Sequence, residues 1–238
     1  GDDHISNTPK QILIYQALGW DIPVFAHVPL ILGPDKKRLS KRHGATAVIE
    51  YRARGFLPEA MFNFLCLLGW SPGDNREIMS VEEIIEAFDI SRIQKKSAIF
   101  DQAKLEWMNS EYIRRKDNFE LLKLLKPFIQ KYGYEVESED YLLKVISLMK
   151  SRVKVLEDFV TFGRYFFEDP LQYDEEGLKK YWKENTAEIL ESFIERLENL
   201  EDYNAIEIEK RLRTLAMEKN IKTAELIHPI RLAITGMK

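Results

Sequence analysis

The stretch "PEAMFNFLCLLG", residues 58–69, decides the fold class of this chain. Pro58 suits the first turn of a helix, and Gly69 suits the C-terminal end of one. The stretch therefore predicts a helix. It separates a first part with mixed helix and strand signals from a remainder in which helical signals dominate.

Upstream of this helix, residues 1–54 carry the mixed pattern. The spacing of apolar residues predicts a helix near residues 9–18. The stretch "VFAHVPLILG" at 24–33 is rich in β-branched and aromatic residues, and it runs into Gly33 and Pro34. We therefore expect a buried strand that enters a loop.

Downstream, the helix starts are marked by residues that cap the backbone. The candidate caps are Ser80 with Glu83, Asp101, Asn118, and Asn204 with Glu207. Apolar residues also recur at helical spacing near the C-terminus, at Ile189, Leu190, Phe193, Ile194, Leu197 and Leu200. The sequence predicts a mainly α fold, in which the end of an α/β domain is followed by helical modules.

Composition narrows the class of protein. The chain has 238 residues and a net charge of -4, with 45% hydrophobic and 31% charged residues, which is typical of a soluble globular protein. It contains no apolar run of about 20 residues, so we expect no membrane span. The single Cys66 excludes an internal disulfide and a cysteine-cluster metal site, and we expect a cytoplasmic protein. The opening "GDDHISNTPK" has no signal-peptide pattern and reads like the middle of a domain, so we expect an upstream cut.

A basic loop stands out in this acidic chain. The stretch "DKKRLSKRHG", residues 35–44, contains six basic groups: Lys36, Lys37, Arg38, Lys41, Arg42 and His43. Lysine and a serine hydroxyl on a loop can stabilise the charge that develops on a leaving pyrophosphate, and Ser40 lies between the cations. The alternative is a solvated surface turn, or a short basic run like a nuclear-localisation signal.

The motifs around this loop carry a family resemblance. "RLSKR" at 38–42 resembles the second signature of class I aminoacyl-tRNA synthetases, usually written Lys-Met-Ser-Lys-Ser. "GDDHISNTPKQILIYQALGW", "FAHVPLILGPD", "HGATAVIEYRARGFLPEAMFNFLCLLGWSPGD", "FDQAKLEWMNSEYIR" and "HPIRLAITG" follow the order found in bacterial or organellar glutamyl-tRNA synthetases. The resemblance covers essentially the whole chain. It departs from the signature at Arg38, which replaces the first lysine and keeps the charge without the compact ammonium.

The resemblance implies an arrangement of domains. Residues 1–54 would be the end of a Rossmann-type catalytic domain, 55–115 a stem-contact module, and 116–238 an α-helical anticodon-binding region. The family's nucleotide-binding half, with its His-Ile-Gly-His-type motif and glutamate-binding residues, is not in this sequence, and the family continues beyond "ITG". We therefore expect the C-terminal portion of a longer enzyme, clipped at both ends.

The resemblance also implies a reaction. Glutamate and ATP, with Mg²⁺, would give glutamyl-adenylate and pyrophosphate, and the glutamyl group would pass to tRNA(Glu). ATP and L-glutamate would bind through the missing catalytic half. We therefore expect a monomer that holds no cofactor tightly, has no metal ligands of its own and is inactive alone.

Individual residues match the family's nucleotide site. Lys41 matches the signature lysine that contacts the ATP phosphates, and Ser40 and Arg38 match its neighbours. His4 matches a position beside the ATP site where some relatives carry Trp, and its alternative role is a capping or solvent-exposed residue. His27 reads as a hydrogen-bonded structural histidine.

Other residues match surfaces that contact tRNA. Arg42 and Arg52 lie in a basic strip with a single acid, Glu50, and Arg114 belongs to the basic "YIRRK" at 112–116. The alternative interpretation of both basic regions is that they are ordinary solvated helix ends. The resemblance places Arg152 near the third anticodon base, where synthetases that reject glutamine tRNA typically carry Arg. Its alternatives are to solvate a helix end or to pair with Glu157 or Asp158.

Two other classes of function remain open from the sequence. The chain would serve as a freestanding tRNA-binding module or accessory subunit if it occurs without a catalytic half. A purely structural helical protein with a chance basic turn fits the composition but not the family motifs. The pyrophosphate-binding Lys and Ser favour the enzyme, because a pure binder would not need them.

Overall fold

The helix predicted at 58–69 is present and runs Pro58–Gly69, with Pro58 in its first turn. The structure, a computed structural model, describes residues 1–40, 42, 44, 47–136 and 138–238. These residues fold as two compact units, Gly1–Thr161 and Phe162–Lys238. Both are mainly helical, which confirms the predicted fold class.

The first unit contains helices and two very short strands. In chain order its elements are α1 (Thr8–Ala17), β1 (Ile31–Leu32), α2 (Val48–Arg54), α3 (Pro58–Gly69), α4 (Val81–Ala87), β2 (Ala98–Ile99), α5 (Gln102–Arg115), α6 (Asn118–Lys131), α7 (Glu139–Met149) and α8 (Asp158–Thr161). Single 3-10 turns lie at Asp2–His4 and Ile90–Arg92.

The second unit is helical throughout its described elements. They are a 3-10 turn at Arg164–Phe166 and the helices α9 (Glu175–Tyr181), α10 (Thr186–Glu198), α11 (Ala205–Glu218) and α12 (Ala224–Thr235). No helix in the described ranges of either unit is long and apolar enough to cross a membrane.

The predicted strand at 24–33 is wrong for most of its length. Only Ile31 and Leu32 pair, in parallel with Ala98 and Ile99 of β2. Upstream, Val24 is 96% exposed. The two-residue β2 offers no further backbone partners, so within the described chain the β-branched residues before Ile31 have no sheet to join.

The predicted helix caps are mostly confirmed. Ser80 and Glu83 form the reciprocal capping box, and Asp101 accepts a hydrogen bond from the Lys104 amide. Asn118 is not a cap. Asp117 performs that role by accepting from the amides of residues 119 and 120, because a carboxylate also interacts favourably with the helix N-terminus.

The core of the first unit forms where α3 packs on α5. Tyr51, Phe56, Met61, Phe64, Leu68, Phe100, Leu105, Met108 and Val155 make one buried cluster. A separate apolar layer between α6 and α7 includes the fully buried Leu125 and Ile146. These layers hold the loops that carry the candidate site residues.

The core of the second unit is built by α10, α11 and α12. Its buried residues are Ile189, Phe193, Leu215, Ala216 and Leu226. Among the predicted apolar positions, Leu197 packs against this core, whereas the Ile194 side chain is 53% exposed. Asn204 caps α11 as predicted, by accepting from the amides of residues 206 and 207.

Candidate functional site

The base of the basic loop is a tight hairpin. The Gly33 amide donates to the Lys37 carbonyl at 2.7 Å, and the Leu39 amide donates to the Ile31 carbonyl at 3.0 Å. On the β2 side, the Phe100 amide donates to the Leu32 carbonyl at 2.8 Å. The loop therefore starts from a backbone that is hydrogen-bonded to the segment leading into α5.

Two cations of the loop lie beside carboxylates. The Arg38 guanidinium is 2.6 Å from Asp3, and the Arg42 guanidinium is 3.6 Å from Asp35. Ser40 is half-buried. Lys41, the residue matched to the signature lysine, lies outside the described residues, as does His43. The structure thus brings Arg38 together with the "GDDH" stretch.

The two histidines near the N-terminus differ in their surroundings. His4 is exposed in the 3-10 turn beside Asp3, with the Asn7 amide nitrogen 3.4 Å from its Nδ1. His27 is half-buried, and its ring nitrogens lie 2.9 Å from Thr8 Oγ1 and 3.1 Å from the Gly1 carbonyl. Both nitrogens of His27 have partners, as expected for a structural histidine.

Arg52 lies at an open groove between α2 and α6. The groove has a volume of about 770 Å³, and its walls are mostly apolar, with Ile49 and Phe128 among them. The charged side chains that line it in the described part are Arg52, Lys123 and Lys131. The local charge is therefore positive although the whole chain is acidic.

The second basic spot, at the end of α5, is partly paired with acids. Arg114 forms an ion pair with Glu111 at 2.8 Å, and the Lys116 ammonium donates a hydrogen bond to Glu59 at 2.7 Å. Burial raises the pKa of Glu59, but the Lys116 hydrogen bond, a backbone hydrogen bond and the Lys116 charge together outweigh it, so the net pKa is lowered. The Arg114 side chain remains half exposed.

Arg152 lies just after α7, with an exposed side chain. Glu157 accepts instead from Lys131 and Tyr132, and the Asp158 carboxylate accepts from the amides of residues 154 and 155. Neither acid pairs with Arg152, and no other acid of the described ranges does. Its guanidinium is therefore available to a ligand.

Sequence reasoning missed Asn109, which positions the Arg152 segment. Asn109 is fully buried, accepts from the Leu57 amide at 2.8 Å and donates to the Lys154 carbonyl at 2.6 Å. Asn109 lies four positions after the buried Leu105, so both residues are on the same face of α5. A polar residue on this apolar face was the signal in the sequence that could have identified it. Close by, the Leu156 amide donates to the Gly55 carbonyl at 3.0 Å.

The described residues contain no group of three or more His, Cys, Asp or Glu side chains that could hold a metal ion. Sequence reasoning also missed Asp3, whose pairing with Arg38 depends on a contact between distant parts of the chain.

Comparison with known proteins gives consistent matches along the chain. Residues 1–107 match the tRNA synthetases class I (E and Q) catalytic domain, and residues 120–238 match the anticodon binding domain. Two similar proteins are glutamate–tRNA ligase from Moorella thermoacetica, 45% identical, and glutamate–tRNA ligase 2 from Caldicellulosiruptor saccharolyticus, 44% identical. Each alignment covers 99% of this chain and 49% of the relative.

Solved structures agree with these relatives. The crystal structure of a glutamate tRNA ligase from Elizabethkingia meningosepticum in complex with its amino acid aligns over 100% of this chain and 50% of that one, with a TM-score of 0.85 and 34% identity. The chain thus spans about half the length of the relatives it matches. Because the domain matches, the relatives and the solved fold agree from end to end, this chain belongs to the class I glutamyl-tRNA synthetase family.

Proposed function

We propose that this chain is part of an enzyme that joins glutamate to tRNA(Glu) through glutamyl-adenylate. The observation that carries the proposal is the "RLSKR" sequence at 38–42, whose first residues lie in the hairpin that follows β1, inside the region matched to the class I catalytic domain. The same chain continues into a region matched to an anticodon binding domain. One polypeptide would then contact both the ATP phosphates and the anticodon.

The loop supplies charge where the reaction develops it. Lys41 and Arg38 would stabilise the negative charge on the leaving pyrophosphate, and the Ser40 hydroxyl would donate a hydrogen bond to it. His4, on the turn that carries Asp3, would lie beside the bound ATP. Mg²⁺ would arrive with ATP and neutralise its phosphates, and we assign no residue of this chain to the ion.

The tRNA would contact the basic residues of the first unit. Arg42 and Arg52 would meet the phosphate backbone near the loop, Arg114 would meet it at the end of α5, and Arg152 would meet the anticodon. We propose module boundaries of 1–54, 55–115 and 116–238; the last module is supported by the anticodon-binding match at 120–238, whereas the catalytic-domain match runs to residue 107. We further propose a cytoplasmic monomer that holds no cofactor tightly.

The test is glutamate-dependent exchange between ATP and pyrophosphate, with tRNA(Glu) present. The complete enzyme should catalyse the exchange. Replacing Lys41→Ala should cost a few kcal/mol of transition-state stabilisation, on the order of a hundredfold in rate. A matched control is Lys126→Ala, which removes the same charge from α6, where the ammonium pairs with Glu139.

The 238-residue chain alone should show no exchange, because one loop does not position two substrates. Turnover by the isolated chain would contradict the need for a further catalytic half. Near-normal exchange in Lys41→Ala would mean that the loop is a surface turn. Binding of tRNA by the complete protein without any exchange would favour a tRNA-binding module.

A further inference from the structure

Asp3 joins the N-terminal turn to the first cation of the loop. Its carboxylate lies 2.6 Å from the Arg38 guanidinium. The Asp3 side chain is 29% exposed, whereas that of Arg38 is 72% exposed. The Asp3 carboxylate is therefore the less exposed partner of the pair, and the Arg38 side chain extends toward solvent.

The backbone on the Asp3 side is firmly anchored. The Asp2 amide donates to the Val28 carbonyl at 3.0 Å, and the His27 Nδ1 lies 3.1 Å from the Gly1 carbonyl. The other ring nitrogen of His27 contacts Thr8 at 2.9 Å. Contacts at Gly1 and Asp2, just before Asp3, and at Thr8, five residues after it, thus hold the turn from which the Asp3 carboxylate reaches the loop.

The backbone on the Arg38 side is anchored independently. Arg38 bridges to Leu32 in antiparallel fashion, and its neighbours Lys37 and Leu39 hydrogen-bond across the hairpin. The ion pair therefore joins two backbones that are each already positioned. The ion pair therefore orients the Arg38 side chain more than it changes the position of the backbone.

An exposed pair of this kind contributes little to folding stability. It has a larger effect on geometry, because a guanidinium is planar and carries five N–H donors. The ion pair with Asp3 draws one terminal nitrogen of this plane toward the carboxylate and leaves the other N–H donors for a second anion. A lysine ammonium at this position would be a point charge without such a plane, so the pairing gives a reason for arginine at position 38.

We propose that Asp3 is a positioning residue for the activation step. It holds the Arg38 guanidinium so that the remaining N–H donors meet the phosphates of the nucleotide. This inference rests on the proposed function, since it needs ATP at the loop. Preorganised donors stabilise developing charge without a reorientation cost at the moment of reaction. The nearby Asp35 carboxylate instead pairs with the Arg42 guanidinium and accepts a hydrogen bond from the Lys37 amide.

The test uses the complete enzyme and the exchange of ATP with pyrophosphate. Asp3→Asn keeps the side-chain size and removes the charge, and it should lower kcat by about tenfold without raising KM for ATP. Asp3→Glu, which restores the charge, should recover most of the rate. Asp2→Asn is the matched control, because it makes the same change one residue away on a side chain with no ion pair in the described structure.

A double-mutant cycle separates positioning from a general loss of structure. If Asp3 acts through Arg38, adding Asp3→Asn to Arg38→Gln should cause no further loss of kcat. Without nucleotide, trypsin should cleave after Arg38 faster in Asp3→Asn than in Asp2→Asn, because the freed side chain enters the protease more readily.

The outcomes distinguish the two proposals. An unchanged kcat in Asp3→Asn, or additive losses in the double variant, would overturn the role of Asp3 and leave the proposed function standing. Cleavage after Arg38 at equal rates in both asparagine variants would also count against it. If the unsubstituted enzyme shows no glutamate-dependent exchange, the proposed function fails, and the role of Asp3 fails with it.

Discussion

At the scale of single residues, Arg152 combines exposure with freedom from local acids. Glu157 and Asp158 are the nearest candidates in sequence, and both are engaged by other donors. A guanidinium only donates hydrogen bonds. An unpaired C offers O2 and N3 acceptors on its Watson–Crick edge, whereas G presents N1–H and N2–H donors. We therefore expect Arg152 to favour an anticodon that ends in C.

Arg152→Gln should narrow the preference of the complete enzyme for glutamate tRNA over glutamine tRNA. Glutamate anticodons end in C and glutamine anticodons end in G, and the donor mismatch is worth about 1–3 kcal/mol. Charging both tRNAs in parallel measures the ratio of kcat/KM. Arg164→Gln is the control, since that guanidinium pairs with Glu168. An unchanged ratio in Arg152→Gln would remove this residue from anticodon discrimination.

At the scale of elements, the segment that carries Arg152 is held against the junction of α2 and α3. Asn109 holds it through a side chain, and Gly55 holds it through the backbone. Gly55 has a φ of +88°, and a Cβ there would lie 2.7 Å from Leu156 atoms. Glycine is therefore required both by the backbone conformation and by the close approach.

Gly55→Ala should lower the free energy of unfolding more than Gly133→Ala does. Both glycines have positive φ, but nothing lies within 4 Å of a Cβ at Gly133. Gly133→Ala, the control, should lower the free energy of unfolding by about 1 kcal/mol because of backbone strain. Gly55→Ala should lower it by about 2–4 kcal/mol. Urea unfolding measures both values. Equal losses would show that the segment near Leu156 moves aside freely.

The Glu59–Lys116 pair, which links α3 to the residue after α5, gives the unit a pH dependence. Burial raises the pKa of Glu59, but the Lys116 hydrogen bond, a backbone hydrogen bond and the Lys116 charge together hold the folded pKa below its ordinary value of 4.5. The stabilisation is therefore complete above pH 4.5 and is lost as the pH falls through the folded pKa.

Glu59→Gln should flatten the decline of unfolding free energy below pH 4.5, because the group that takes up a proton on unfolding is gone. The measurement is urea unfolding at a series of pH values. Glu120→Gln removes a more exposed carboxylate that lies 3.5 Å from Lys116 and serves as the control. A slope as steep as that of the parent would show that Glu59 contributes little to acid sensitivity.

At the scale of the whole molecule, charge is distributed unevenly. The chain carries a net charge of -4, yet the groove between α2 and α6 is lined by Arg52, Lys123 and Lys131. Binding to a phosphate backbone responds to such local charge and to the counterions it displaces. Net acidity therefore does not oppose the proposed tRNA contacts.

Binding of tRNA(Glu) to the complete enzyme should weaken as salt rises from 50 to 200 mM. Arg52→Gln should reduce the slope of log Kd against log salt by about one, as expected for one lost phosphate contact. Arg76→Gln is the control, because that guanidinium already pairs with Asp74 and Glu83. A slope unaffected by Arg52→Gln would place this residue outside the interface.

The sequence by itself determined the features that depend on near neighbours along the chain. The helix at 58–69, the Ser80–Glu83 capping box and the Asn204 cap each involve residues within one or a few turns, so local patterns predict them. The "RLSKR" loop was also found from the sequence, because its meaning lies in five consecutive residues and their context.

Only the tertiary structure decided the features that join distant parts of the chain. Of the strand predicted at 24–33, only Ile31 and Leu32 form a strand, because the length of a strand depends on its pairing partner and β2 has two residues. The Asp3–Arg38 pair and the two bonds of Asn109 arise from elements brought together by packing. Hydrogen bonds and ion pairs of this kind depend on position in space, which short-range sequence patterns do not encode.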